Sequence, residues 1–273
     1  MGLFGNYENA GPGIPKSEIE KKGFFKFWEI YMRKFWNLIL LNLIFLLFCL
    51  PVVTIGPAVA GITKITRNYT QERPIFLWHE FIKTFKSCFK QSFVMGLIDI
   101  LFVVCAFVGI PFYSAMAQEN SIFYIPFILT LSMIFIFIMM HFYIYLMIVS
   151  TNLSLGKIVK NSFILVSLGL KQSIFTLLSI FFVVGLLFLF LPYSSFLMPF
   201  IPFSLIALIV SFNCFPVIRK YVIQPYYEQR GEESPEFDFK KPNSEEAVFE
   251  DKGGEEKPIK QAPKKKGKGK YIS

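Results

Sequence analysis

Long apolar runs, separated by short basic segments, constrain this chain more than any other feature. Each run has the roughly 20 residues that a helix needs to cross a hydrocarbon core about 30 Å thick, at about 1.5 Å per residue. The sequence therefore predicts an all-α, polytopic helical membrane protein. The four full transmembrane helices are expected at Ser92–Phe112, Ile122–Ser150, Ser173–Leu191 and Phe196–Ile218.

Composition supports a membrane environment. Hydrophobic residues make up 54% of the 273 residues and charged residues only 17%, which is unusual for a soluble domain of this length. The lipid bilayer is thus the expected surrounding of the chain. No signal peptide is predicted, because the first apolar run starts near Phe35, after several lysines. The four cysteines form no CxxC or Cys/His pattern, so no metal site or other cofactor is expected.

A fifth apolar segment, residues 36–62, is interrupted. As a helix, Trp36–Leu50 would span only about 22 Å, and Pro51 and the Gly56-Pro57 pair would then break it. Two interpretations remain open: a re-entrant hairpin that returns to the side it came from, and a fifth full span. We favour the hairpin because the N-terminal segment and the loop at residues 64–90 are both basic, and a hairpin leaves them on one side.

Three further segments are predicted to lie at the membrane surface. Residues 22–35 and 74–91 place aromatic side chains on one helical face and charged side chains on the other, a pattern typical of interfacial helices. Residues 151–172 form a moderately polar connection with a short surface helix.

The distribution of charge predicts the topology. All 28 Lys and Arg residues fall in the N-terminal segment, residues 64–90, residues 157–171 or the region from Arg219 onwards, and the two other turns have none. The positive-inside rule then places the N-terminus and the tail in the cytoplasm of a multi-pass cell-membrane protein. The expected domains are a cytoplasmic N-terminal segment with its interfacial helix (1–35), a helical membrane domain (36–220) and a disordered, charged cytoplasmic tail (221–273).

Four polar residues lie inside apolar runs. Asp99 in the first clear span and His141 in the next, antiparallel span have similar depths, so their side chains could meet. One interpretation is a proton-linked or solute-contacting pair, because intramembrane carboxylates are costly and often functional. The other is a structural contact that locks two helices together. For Asn42 and Asn213, interhelical hydrogen bonds are a sufficient explanation.

The end of the tail carries a cluster of lysines that favours contact with anionic lipids rather than with nucleic acid, because the tail is tethered to a membrane. The cluster comprises Lys264, Lys265, Lys266, Lys268 and Lys270. No phosphate-binding loop, nucleophile elbow or HExxH motif is present, so the sequence predicts no enzyme activity.

Several segments resemble the YesL-like family of bacterial integral membrane proteins, a domain of unknown function. They are GPGIPK near the N-terminus, LNLIFLLFCLPVVTIGPA, FLWHEFIKTFKSCFKQS and KNSFILVSLGLKQS, and together the resemblance spans roughly residues 1–220. The LPVVTIGPA block is its most specific part. The lysine-rich tail departs from the family pattern, and the family supplies no site residues to transfer.

The resemblance implies a context rather than a mechanism. Such proteins occur mainly in Gram-positive bacteria, often encoded near ABC-type carbohydrate uptake systems and glycan-degrading enzymes. The leading hypothesis is accordingly a non-enzymatic accessory or regulatory protein that partners a carbohydrate ABC transporter or another membrane protein. The alternative is a small-solute or proton-coupled transporter or channel that uses Asp99 and His141.

Overall fold

The computed structural model describes residues 23–231, and these residues fold into helices joined by short turns. The helices, in chain order, are α1 (Gly23–Arg33), α2 (Phe35–Cys49), α3 (Ile55–Thr70), α4 (Leu77–Ser87), α5 (Phe89–Glu119), α6 (Tyr124–Ile148), α7 (Leu155–Leu168), α8 (Leu170–Leu189), α9 (Pro202–Ile218) and α10 (Gln224–Glu228). Single 3-10 turns occur at Val52–Thr54, Ser121–Phe123 and Tyr193–Phe196.

The predicted helical membrane architecture is confirmed. Four helical segments are long and apolar enough to cross a membrane: Phe89–Glu119, Ser121–Ile148, Leu170–Leu189 and Pro202–Glu228. They overlap the four spans expected from hydropathy. The fourth helix begins at Pro202 and not at Phe196, because residues 197–201 form turns. The helices α1 and α2 pass the same test as a pair, but they meet at 72°, which fits a broken span or a re-entrant segment.

The three expected surface segments are helical. Both α1 and α4 are amphipathic: α1 buries Ile30 and exposes Phe24 and Trp28, and α4 buries Phe81 and exposes Trp78. An exposed aromatic face next to charged side chains is suited to the headgroup region of a bilayer. The connection between the second and third spans contains α7, which is the short helix that the sequence predicts.

All the long helices converge at one end, which we call the basic end. It comprises the first turns of α5 and α8 and the last turns of α6 and α9, and Lys90, Lys171 and Arg219 lie in or beside these turns. The two clusters of buried apolar side chains include most of the α6 residues from Met139 to Val149, together with residues of α2, α3, α4 and α9. The hydrophobic core therefore lies near this end.

The helix α3 is the centre of that core. It packs against α2, α4, α5, α6 and α9. Its N-terminal residue Gly56 lies against Ser92 and Gly96 in the first two turns of α5. Near its other end, Arg67 contacts Val149 at the end of α6. Because α5 begins where α6 ends, both ends of α3 lie near the basic end.

The segment after residue 62 differs from the sequence-based expectation. The sequence predicts a basic loop with one surface helix for residues 64–90, yet α3 continues to Thr70 and buries Arg67. Arg67 is only 3% exposed, and Thr66 bonds Ser211 of α9 with 2.9 Å between their hydroxyl oxygens. The end of α3 mixes small and polar residues, so its hydropathy signal is weak and does not predict a buried helix. Packing against neighbouring helices determines that this segment is helical and buried.

At the ends opposite the basic end, the spans have very few buried residues. Between Leu97 and Ile138, which includes most of the α5–α6 hairpin, only Ala117 is buried. The α8–α9 hairpin is similar, since Ser194 and Pro202 are the only buried residues from Leu177 to Phe203. Two helical hairpins therefore extend from a compact base, with mainly apolar side chains on their surfaces.

The last helix continues past the expected end of the membrane domain at residue 220. A π-helical turn at Arg219–Ile223 joins α9 to α10, so residues 221–228 of the expected tail are helical. The disorder predicted for the rest of the tail concerns residues 232–273, which lie outside the described residues, as do residues 1–22.

We expect Gly56→Ala to destabilise the fold by at least about 1–3 kcal/mol, the usual cost of overpacking. An added Cβ would overlap the backbone carbonyl of Ser92, which cannot rotate away. Thermal unfolding of the purified protein in detergent measures the effect. Gly185→Ala is the matched control, because no atom lies near its added Cβ. Equal midpoints for the two variants would contradict the close packing of α3 on α5.

Candidate functional site

The structure brings Asp99 and His141 together between α5 and α6. His141 Nε2 lies 3.3 Å from Asp99 Oδ2. The same carboxylate oxygen accepts a hydrogen bond from the Tyr145 hydroxyl, with 2.7 Å between the oxygens. The tyrosine contact has the usual length of an O–H···O hydrogen bond, whereas the histidine contact is longer than the roughly 2.9–3.0 Å most common for N–H···O bonds. The expected meeting of the two residues is therefore present, with a third residue added.

Sequence reasoning missed Tyr145, although a signal for it exists. Tyr145 follows His141 by four residues, so both side chains project from the same face of α6. Their rings lie 4.9 Å apart, centroid to centroid. An aspartate at the matching depth of α5 then meets both side chains, and a search for polar residues one turn from His141 would have found the tyrosine.

The surroundings of the cluster formed by Asp99, His141 and Tyr145 are mixed. Tyr145 is buried, whereas the side chains of Asp99 and His141 are 21% and 37% exposed. The second carboxylate oxygen, Asp99 Oδ1, is buried and has no hydrogen-bond partner among the described residues. Among the described residues, the carboxylate therefore makes its hydrogen bonds through one oxygen. The imidazole of His141 is partly exposed at the surface of the hairpin.

Chemically, this arrangement can hold two helices in register. Interhelical hydrogen bonds in membrane proteins contribute on average about 0.6 kcal/mol each, up to about 1.7 kcal/mol. The described residues contain no group of three or more His, Cys, Asp or Glu side chains that could hold a metal ion. Asp99 and His141 do not line the polar pocket between α3, α4 and the end of α6, nor the pockets beside α8 and beside α10.

The Asn42 side chain caps a distant helix. Its amide nitrogen donates to the Pro199 carbonyl at 2.8 Å, and its amide oxygen accepts from the Ser204 backbone N–H at 2.8 Å. Ser204 lies in the first turn of α9, whose N–H groups have no partner within the helix. Asn42 is completely buried, and its interhelical bonds have the structural role expected for it.

The remaining candidate residues do not join this cluster. Asn213 is half-buried on α9, and its side chain makes no hydrogen bond to any residue in the described range. The tail lysines Lys264, Lys265, Lys266, Lys268 and Lys270 lie outside the described residues. Their contact with anionic lipids stays a prediction.

A polar pocket at the basic end was not expected from the sequence. It has a volume of about 340 Å³ and lies between α3, α4 and the end of α6. Lys64 Nζ and an Arg67 guanidinium nitrogen lie 3.2 Å and 3.1 Å from the Val149 carbonyl oxygen, and Arg67 also donates to Ser150 Oγ at 2.8 Å. These cations satisfy carbonyl groups at a helix C-terminus, where positive charge is favourable.

Comparison with known proteins gives one match. A family model described as "Protein of unknown function, DUF624" matches residues 38–110, less than half of the chain. The matched segment covers most of α2, all of α3 and α4, and most of α5. No curated protein and no solved structure matches the chain. The similarity therefore lies in the helices that build the basic end and attaches no activity to them.

We expect a double-mutant cycle of Asp99→Ala and Tyr145→Phe to give a coupling energy of about 0.6–1.7 kcal/mol, the range for interhelical bonds in membranes. Unfolding of the wild type, both single variants and the double variant in one detergent gives the four required values. Strictly additive effects would show that the 2.7 Å contact does not stabilise the α5–α6 pair.

Replacing Asn42 by Leu should lower the free energy of unfolding by about 1–3 kcal/mol. The change leaves the Ser204 N–H and the Pro199 carbonyl without their partner, and an unsatisfied buried polar group carries a cost of this size. Asn213→Leu is the matched control, since it makes the same change on α9. The same loss of stability in both variants would argue against a capping role for Asn42.

Proposed function

We propose that this protein is a non-enzymatic accessory component of a multi-pass membrane assembly. The observation that supports this proposal is the low burial of the α5–α6 hairpin, in which only Ala117 is buried between Leu97 and Ile138. A path for a solute must be enclosed by protein on all sides, and two helices alone cannot enclose one. Their apolar flanks are instead suited to contact with lipid and with helices of a partner.

The Asp99 cluster fits the same proposal. Its carboxylate is tied to side chains of the neighbouring helix, and such a contact keeps α5 and α6 in register without any ligand. The cluster also lies outside the lining of the polar pocket at the basic end. A structural role for Asp99, in which it holds α5 and α6 together, therefore agrees with a protein that offers a stable helical surface to a partner.

The proposed partner is a carbohydrate uptake system of the ABC type in the cell membrane of a Gram-positive bacterium. This part of the proposal depends on the resemblance to the YesL-like family and its genetic context, and not on the geometry. The N-terminus and the tail would lie in the cytoplasm, where the positive-inside rule places the basic end.

Copurification from native membranes tests this proposal. The tagged full chain, solubilised in a mild detergent, should retain the membrane subunits of an ABC transporter at levels well above those retained by an unrelated tagged polytopic protein. Quantitative mass spectrometry of the two eluates provides the comparison. Repeated recovery of no transporter subunit above the control would reject the partnership.

A small-solute or proton-coupled transporter is the second candidate. It is favoured by the exposure of His141 and by the buried oxygen Asp99 Oδ1, which has no partner within residues 23–231. In an oligomer, the exposed side of this pair could line a path between copies.

Transport assays with Asp99→Asn separate the two candidates. A transporter that uses the pair should lose proton or solute flux in liposomes when the carboxylate becomes an amide. Glu119→Gln is the matched control, because it makes the same change in the last turn of α5. Flux in the wild type that disappears only in Asp99→Asn would favour transport, whereas no flux above empty liposomes would favour the accessory role.

A further inference from the structure

We propose that the polar pocket at the basic end binds a phosphoryl anion. Its lining contains three cationic side chains and one carboxylate: Lys64, Arg67, Lys83 and Glu80. The formal charges of these four side chains sum to +2. The cavity volume of about 340 Å³ lies at the lower end of the range of about 300–1,000 Å³ typical of small-molecule sites.

The fold fixes one of the three cations, Arg67, in the wall of the pocket. Arg67 is 3% exposed, and it is held by the Val149 carbonyl, by Ser150 Oγ and by the ring of Phe215, which lies 5.1 Å from the guanidinium carbon. A cation fixed in a partly desolvated wall exerts a stronger field than one in free solution, because less water screens it.

The helix α4 contributes the opposite wall. Glu80, Lys83, Thr84 and Ser87 recur at helical spacing and line the pocket together. Although Glu80 and Lys83 are neighbours on this helix, the described residues include no ion pair between them. The Lys83 ammonium therefore contributes its charge to the pocket, and α4 keeps its aromatic residue Trp78 exposed.

The position of the pocket favours a phosphoryl group over other anions. Cys88, at the junction of α4 and α5, and Ile148, at the end of α6, are among its lining residues. These are the points where two transmembrane helices begin and end, and the phosphates of a bilayer lie at that depth. A lipid headgroup or a soluble phosphate ester at the membrane surface would present the same chemistry. Lysine and arginine together match the several acceptor oxygens of such a group.

Calorimetric titration of the purified full chain in a phosphate-free detergent buffer at 0.15 M salt tests the proposal. One arm uses glycerol 3-phosphate, a second uses short-chain phosphatidylglycerol, and a third uses short-chain phosphatidylcholine. Saturable binding of glycerol 3-phosphate identifies a soluble ligand, whereas binding of phosphatidylglycerol alone identifies a lipid headgroup. Phosphatidylcholine should bind much more weakly, because its choline group neutralises the phosphate charge.

The matched variants are Lys83→Gln and Lys86→Gln, which remove the same charge from exposed positions of α4 without altering the core. Lys86 does not line the pocket. We expect Lys83→Gln to weaken binding about fivefold, the effect of one partly screened cation, and Lys86→Gln to change it less than twofold. Lys64→Gln should add a further loss, and its unfolding midpoint shows whether the fold survives.

Three results would overturn the proposal. The first is the absence of saturable binding in both the glycerol 3-phosphate and the phosphatidylglycerol arms. The second is an equal loss of affinity in Lys83→Gln and Lys86→Gln, which would indicate general attraction to a basic surface. The third is equal binding of phosphatidylcholine and phosphatidylglycerol, which would indicate that acyl chains, and not the anion, supply the affinity.

Discussion

The burial of α3 at the basic end is the constraint on which the rest of the structure depends. The chain breaks at Pro51 and in the 3-10 turn Val52–Thr54 before α3 begins. Irregular backbone of this kind is tolerated at membrane depth only where protein or water covers it. The break itself is exposed, with Val52 at 61% and Val53 at 57%, so the protein does not supply that cover. The helices packed around α3 instead bury most of α3 itself. Gly56 and Gly96 allow the closest approach, because neither has a side chain to separate the two backbones.

The central position of α3 also explains where the polar groups lie. Lys64 and Arg67 reach the carbonyl groups at the end of α6, and Thr66 reaches Ser211 of α9. These bonds join α3 to two transmembrane helices, α6 and α9, near the same end. Farther along the spans, the Asp99 cluster links α5 to α6 through hydrogen bonds. The rest of this hairpin depends on apolar contact and on the surrounding lipid.

Much of this fold could be predicted from the sequence, and the exceptions have physical causes. The four spans follow from hydropathy, and α1 and α4 follow from the spacing of aromatic and charged residues. The depth of Asp99 and His141 was sufficient to predict their contact. By contrast, α3 was only partly predicted: its N-terminal half was assigned to the hairpin, but residues 63–70 were not. Short-range patterns describe Lys64 and Arg67 as surface cations, whereas the end of α6 provides hydrogen-bond partners for both of them. The polar pocket was missed for the same reason, since its lining comes from three separate segments.

In the re-entrant arrangement, both flanks of the α2–α3 segment lie on one side of the membrane. The direct test is labelling of intact cells with a membrane-impermeant thiol reagent. Single cysteines replace Ala10, Pro74, Lys157 or Ser121 in a chain whose native Cys49, Cys88, Cys105 and Cys214 are changed to Ala. The re-entrant arrangement predicts that only the cysteine at position 121 reacts from outside, and that the other three cysteines react after the membrane is permeabilised. External labelling at position 10 or 74, with position 157 protected, would show that the segment crosses the membrane and would contradict the re-entrant arrangement.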